Sequence, residues 1–567
     1  MPSPQQRFMK AWERTQVELH GSYSTDRMLA LAKYTRETSW PHIITVLLVS
    51  PLPCLVITVL SDVIPLDGPS GGIKANKMFQ IRQYYSYVVM SFLCAQQFRT
   101  SVRALPYPNW RVWRNTIVVA GLTVAVLHGL ALWIGFPVPF SIVIAMPAWV
   151  VIITISMAIE WLRLIQQNPE TGTMVFNTIK VWLVEVLLVV TYPPYYYVFT
   201  TLSKTGQMFF ASLLPVIKLI MRNIFTLTVV HLSDEMPEVV VFNSEVFNAL
   251  FVSYCMQNSP SFGTTLMVTA ALLLQLGMSL RDVNDAVHRM DKVGRQLAHE
   301  DVYNDPSIAT PKSSVGAHVL TCLERAEKML LEQRDALQES KVKTVSVRSS
   351  ITQRDKISQA EKGGEGKELL KSDSIEKTFK YEERGTIKPY SGARIQPTPE
   401  EAEKHTARGV KEITATSLQY VLEVRRLLYL TEFLVLINYV GVFIPLVFSI
   451  YMGLMYRLPN RTYYAQLADL TEHELDQALK NVMFNCALKI LALGLLCSLL
   501  QYRLRFSAIH QLAFVMEKQW PGVQTKICFW VFYNVQASLQ HHGFDYTFKF
   551  AWLHEDSMAD ASNTTRF

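Results

Sequence analysis

Ten apolar stretches, most of them near the length of a bilayer-crossing helix, recur along the chain at roughly 42–60, 84–98, 115–136, 138–159, 180–200, 207–231, 238–256, 263–280, 427–454 and 482–501. A hydrocarbon core of about 30 Å takes about 20 residues of helix, and backbone groups left unbonded in lipid are too costly for irregular chain. The pattern therefore predicts an all-α integral membrane protein of about ten transmembrane helices, eight followed by two after a long polar interval. The second stretch is the shortest, because Gln80, Arg82, Gln83, Gln96 and Gln97 squeeze YYSYVVMSFLCA toward interfacial length.

Composition supports this class, with 50% hydrophobic against 18% charged residues. The net charge of +7 is spread over segment ends and short loops without an aromatic-interleaved basic patch, so no nucleic-acid partner is expected. Cys54, Cys94, Cys255, Cys486 and Cys497 fall in apolar stretches, as buried thiols do, and a disulfide framework is excluded. Nothing before the first stretch resembles a signal-peptide cleavage site, so that stretch is expected to stay as an anchor.

Lys and Arg in short loops favour the cytoplasmic side. Residues 1–41 form a basic arm with Arg7, Lys10, Arg14, Arg27, Lys33 and Arg36, and the loop with Arg99, Arg103, Arg111 and Arg114 falls on the same side when ten crossings are counted. The scheme makes 42–280 an eight-span bundle, 281–426 a cytoplasmic loop, 427–501 two further spans, and 502–567 a cytoplasmic or interfacial C-terminal region. Two loops dissent: 232–237 carries Asp234 and Glu235 on the inner side, and 61–83 carries Lys74, Lys77 and Arg82 on the outer. The sequon Asn460-Arg461-Thr462 faces outside in this scheme and is the expected glycosylation site, while Asn563-Thr564-Thr565 stays inside and bare.

The 281–426 block holds 26 basic against 24 acidic residues. Its beginning and the stretch VGAHVLTCLERAEKMLLEQRDALQ have helical spacing, with Val319, Leu323, Ala326, Leu330 and Leu337 on one face, either for a coiled-coil partner or for lying on the bundle or bilayer. Between 339 and 410 too little apolar surface exists to offset ordering entropy, and disorder is expected. After the last span, 502–552 mixes basic and aromatic residues. It reads as interfacial, with 524–538 alternatively a short buried helix packed on the bundle.

No phosphate-binding loop, zinc signature or activated nucleophile is present, so neither an enzyme nor a cofactor is expected. The adjacent His541 and His542 lack the further ligands of a metal site and read as surface or interface residues. The informative residues are ionisable groups inside apolar stretches, which usually face a protein interior or a water-filled cavity. Lys218 and Arg222, at i and i+4, share a helix face, and Glu185 and Glu245 stand at a comparable inner-half level. These four either line a polar pathway or anion-binding cavity, or form structural pairs. Pro193 and Pro194 are expected to kink or break the fifth span, as helices break in transporter sites.

The run PVIKLIMRNIFTLTVVHLSDEMPEVVVFNSEVFNALFVSYCMQ at 215–257, with YSTDRMLALAKYTRETSW, SPLPC and FDYTFKFAWLH, resembles a family of uncharacterised multi-pass membrane proteins from oomycetes. The resemblance implies the eight-plus-two architecture and carries no substrate, reaction or catalytic residue. The expectation is a transporter or channel-like conduit for a small solute or ion in the plasma membrane or an endomembrane. The alternative is a membrane receptor or scaffold signalling through the 281–426 loop, with 281–340 meeting a cytoplasmic protein partner.

Overall fold

The computed structural model describes residues 16–203, 206, 210, 213–229, 232, 234–258, 262–304, 321–332, 334, 415–464, 467–468 and 470–544. The regular structure of the described residues is all helical, with no strand; a single antiparallel bridge joins Tyr464 to Leu539. The chain divides into a unit made of 1–327 with 419–567, and a second unit, 328–418. Of the second unit only 328–332, 334 and 415–418 are described, as helix, and the expected disorder over 339–410 lies outside the described residues.

In the first unit α1 (Thr25–Glu37) is capped by Ser24, whose side chain accepts from the Arg27 amide. The first apolar stretch is two helices, α2 (Trp40–Val49) and α3 (Leu52–Val63), because Pro51 and Pro53 lack the amide hydrogens that a continuous helix needs. The carbonyl of Leu47, four residues before Pro51, instead accepts the Tyr439 hydroxyl at 3.0 Å. Then follow α4 (Lys77–Ser101), α5 (Asn109–Ile134), α6 (Ser141–Gln167), α7 (Pro169–Thr201), α8 (Leu214–Val229), α9 (Met236–Asn258) and α10 (Phe262–Asn304). The expected break at Pro193 and Pro194 does not occur: α7 runs through both as one helix. After the polar block come α11 (Ala415–Met455), α12 (Glu472–Leu504), α13 (Ala508–Lys518) and α14 (Trp520–Ala537).

Among the described residues six segments are long and apolar enough to cross a membrane: 40–63, 109–134, 141–167, 170–191, 415–455 and 472–504. They match six of the ten stretches read from the sequence. The other four, 84–98, 207–231, 238–256 and 263–280, fall on α4, α8, α9 and α10, which lie outside that set. In α4 the reason is visible, since Arg82, Gln83 and Gln97 are buried against protein and lower its apolarity.

The outer helices present large apolar side chains outward, such as Leu48, Val56, Val118, Leu122, Val151 and Ile155, as lipid-facing surfaces do. The centre is occupied by α11, buried continuously from Leu427 to Gly441, and by α14, of which 13 of 18 residues are buried. The sequence placed the α14 region either at headgroup level or against the bundle, and the structure puts it inside.

The direction of α14 follows from its partners. Gln524 donates to the Ser50 carbonyl and Gln536 to Ser61 Oγ, both at 2.9 Å, while Lys526 meets Glu238 and Trp530 meets Asn243. It therefore runs with α3 and α9, from the end of the bundle that holds α1 to the opposite end. At the first end Ser24 binds Asp234, Arg103 pairs with Glu235, and Tyr34 and His42 bind Glu517. At the second end Asn460 binds the 62–66 segment, His541 binds the Asp67 carbonyl, and Gly543 accepts from the Phe140 amide.

Candidate functional site

Lys218 and Arg222 project from α8 toward α9, one turn apart, and both reach Glu245. The Lys218 ammonium lies 2.8 Å from Glu245 Oε2, and Arg222 Nη2 lies 3.0 Å from Oε1. Arg222 also meets Glu18 at 3.3 Å, from the short turn Val17–Leu19 that precedes α1. Its guanidinium stands 5.4 Å from the Phe433 ring centroid on α11, a geometry that favours a cation over an aromatic face.

A third cation joins from α12. The Lys489 ammonium stands within electrostatic reach of Lys218 and Glu245. Its stem passes Gly441 of α11 so closely that a Cβ there would sit 3.1 Å from Lys489 Cδ and 3.2 Å from Nζ. Glycine at 441 leaves room for the Lys489 chain along α11, and a Cβ there would press that chain aside by a few tenths of an ångström. Among the described residues Lys489 forms no ion pair, so three cations, Lys218, Arg222 and Lys489, face two carboxylates, Glu18 and Glu245.

Glu185 does not belong to this cluster. On α7 it accepts from Gln97 Nε2 at 2.7 Å, and its further electrostatic neighbours are Lys526 and Asn243. Lys526 bonds Glu238 at 2.7 Å and the Gly522 carbonyl at 3.1 Å. The carboxylate of Glu238 lies where a Cβ on Gly522 would come within 2.9 Å, so that glycine opens the space for the pair.

Two more buried ionic groups close the ends. Toward the first end Arg27 bonds both oxygens of Glu432 at 2.8 Å, and the Tyr23 hydroxyl donates to the same carboxylate. Toward the second end Asp62 pairs with Arg82 at 2.5 Å and accepts from Tyr451 at 2.7 Å and Tyr464 at 2.5 Å. Sequence reading missed Glu18, Lys489, Glu238, Lys526, Glu432 and Asp62. Lys489 and Glu432 carried a signal, a charge inside an apolar stretch; Glu18 carried none, because it lies in the polar N-terminal arm.

Asn460 corrects the sequon expectation. It is buried, its amide donates to the Asp62 and Ile64 carbonyls at 2.8 and 2.7 Å, and its oxygen accepts from the Leu66 amide at 2.9 Å. A glycan on that nitrogen is incompatible with this packing. His541 and His542, read as surface or interface residues, are buried as well, bonded to the Asp67 carbonyl at 2.7 Å and to Ser141 Oγ at 2.8 Å. Burial pushes the His541 imidazole down to about 4. Among the described residues no group of three or more His, Cys, Asp or Glu side chains could hold a metal ion.

A groove of about 820 Å³ opens at the first end, lined in part by Arg36, Trp40, Gln501, Tyr502, Arg505 and His510; no member of the Lys218 cluster lines it. No family model, curated protein or solved structure matches the chain.

Proposed function

We propose that the protein is a membrane-embedded carrier or channel-like conduit of about ten crossings, whose cation cluster around Lys218, Arg222 and Lys489 receives a small anionic solute. The observation that carries this reading is Lys489. A cation held inside a bundle without a carboxylate of its own is costly, and such residues mark substrate or ion pathways. An anion beside Lys489 would offset the excess positive charge of the cluster. The reading assigns no reaction to the protein.

Lys489→Met tests it, because this change removes the excess charge without breaking an ion pair. In detergent, the parent is expected to gain thermal stability in a panel of small anions relative to matched salts, and the variant to lose at least tenfold in apparent anion affinity. Proteoliposomes are expected to show saturable anion uptake that Lys489→Met abolishes. Unchanged anion response in the variant, or no saturable uptake by the parent, rejects the proposal.

The second reading, a receptor or scaffold acting through 281–426, is supported by the direct pairing of Arg27, Arg222 and Lys526, which needs no ligand. Removing Arg222 and Glu245 together does not separate the two readings, since Lys218 and Glu18 would each lose a partner.

A further inference from the structure

The groove at the first end lies where two apolar segments meet polar chain. Trp40 is the first residue of the 40–63 segment, and the apolar run of α12 gives way beside it at Gln501, Tyr502 and Arg503. Trp and Tyr favour headgroup level at such a boundary, and Trp40 and Tyr502 both line the groove with exposed rings. Trp40 is held edge-on by His510, with centroids 4.9 Å apart, and His510 Nδ1 lies 2.8 Å from Ser507 Oγ. Cys497 and Ser498 carry the lining one turn inside the apolar run, about 5 Å deeper. Below the groove the same helix faces stay open. Ile44 and Leu48 follow Trp40 down α2 at helical spacing, Leu495 and Leu491 follow Tyr502 down α12, and all four are exposed.

The charges at the mouth are nearly balanced. Arg36 pairs with both oxygens of Glu327 at 2.9 and 3.1 Å, and the Glu324 carboxylate accepts from the Thr321 amide at 2.7 Å. Arg505 lines the groove and is exposed, and among the described residues its guanidinium forms no ion pair. One unpaired guanidinium close to a carboxylate suits a phosphodiester, which carries a single charge, better than a free phosphate or phosphomonoester, which carries about 1.5–2. We propose that the groove seats a membrane phospholipid, with its phosphodiester on Arg505 and Gln501 and its acyl chains on the exposed faces of α2 and α12. The depth of the lining favours a lipid over a soluble phosphate, because only a lipid fills both the mouth and the apolar faces beneath it. The site is independent of the anion reading, since no member of the Lys218 cluster lines the groove.

The test uses the delipidated full chain in detergent, titrated with dioleoylphosphatidylglycerol and followed by native mass spectrometry. The phosphodiester is the ionised group of that lipid. Arg505→Asn removes the guanidinium while a residue that tolerates the positive φ of 52° keeps the backbone. It is expected to weaken binding about tenfold, as loss of one charge-assisted contact does. Ser498→Trp fills the deep part of the groove and is expected to abolish binding. Arg503→Gln removes the same charge from the same helix end, outside the groove lining, and is expected to bind as the parent does. Glycerol phosphate and dioleoylglycerol, which supply the phosphate and the chains separately, are expected not to compete. In proteoliposomes of the unaltered chain, a phosphatidylglycerol carrying a diazirine beside its headgroup is expected to label 497–507, an arm that needs no variant. Parent-like binding by Arg505→Asn, equal weakening by Arg503→Gln, competition by glycerol phosphate, or labelling confined to other segments overturns the proposal.

Discussion

At the residue scale, burial changes what a side chain does. Lys74, Lys77 and Arg82 in the 61–83 segment argue against an outward-facing loop when counted as equals. Arg82 is fully buried and neutralised by Asp62, so it carries no weight in a loop-charge count. Asp234 and Glu235 dissent at the other end for a parallel reason: the first accepts from the Ser24 amide and the second pairs with Arg103. His541 gives a residue-scale prediction. Its folded pKa of about 4 lies below the ordinary 6.5, so the unfolded chain takes up the proton first. Stability is complete above about pH 6.5 and falls as the pH drops toward 4, by about 3 kcal/mol for this group. Thermal unfolding in detergent across that range is expected to show the slope, and His541→Gln to flatten it. A slope unchanged by the substitution would assign the acid sensitivity elsewhere.

At the element scale, α14 shows why apolarity identifies lipid-facing helices more readily than sheathed ones. The helices exposed on the flank need oil-like surfaces, whereas a central helix can carry Lys526 and Gln536 provided that its neighbours supply partners. Lys526→Met is expected to leave Glu238 buried without its partner and to cost about 3–5 kcal/mol. Lys526→Met together with Glu238→Gln is expected to recover most of that loss, since both ends of the pair are removed. The check is thermal stability of parent, single and double variants; a double variant as unstable as the single would mean that the pair is not what anchors α14 to α9. The same logic explains the continuous α7. Pro193 and Pro194 free carbonyls one turn earlier, yet the helix persists, as membrane helices do when the freed groups find other donors.

At the scale of the whole molecule, the bundle closes through contacts between residues far apart in the chain, while 328–418 forms a unit of its own. Deleting 345–405 is therefore expected to leave the thermal stability of the detergent-solubilised bundle within about 1 kcal/mol, because a sequence so poor in apolar residues can bury little surface. Fluorescence-detected size exclusion and a melting curve would check this, and loss of the monodisperse peak would show that the segment supports the bundle.

The all-helical class and six of the long apolar helices were legible in the sequence because helix length and apolarity are local properties, set by neighbours a few residues apart. The i,i+4 placement of Lys218 and Arg222 was legible for the same reason, and both do reach Glu245. Which carboxylate completes Arg222 was not, since Glu18 lies 204 residues away and enters only when the N-terminal arm folds against α8. Nor could Glu185 be separated from the cluster, because comparable depth along two helices says nothing about which faces meet. Lys489, the burial of Asn460 and the course of α14 were likewise decided by tertiary structure. Each depends on partners hundreds of residues away in sequence, and a buried polar group is stabilised or excluded only by the atoms that the fold brings beside it.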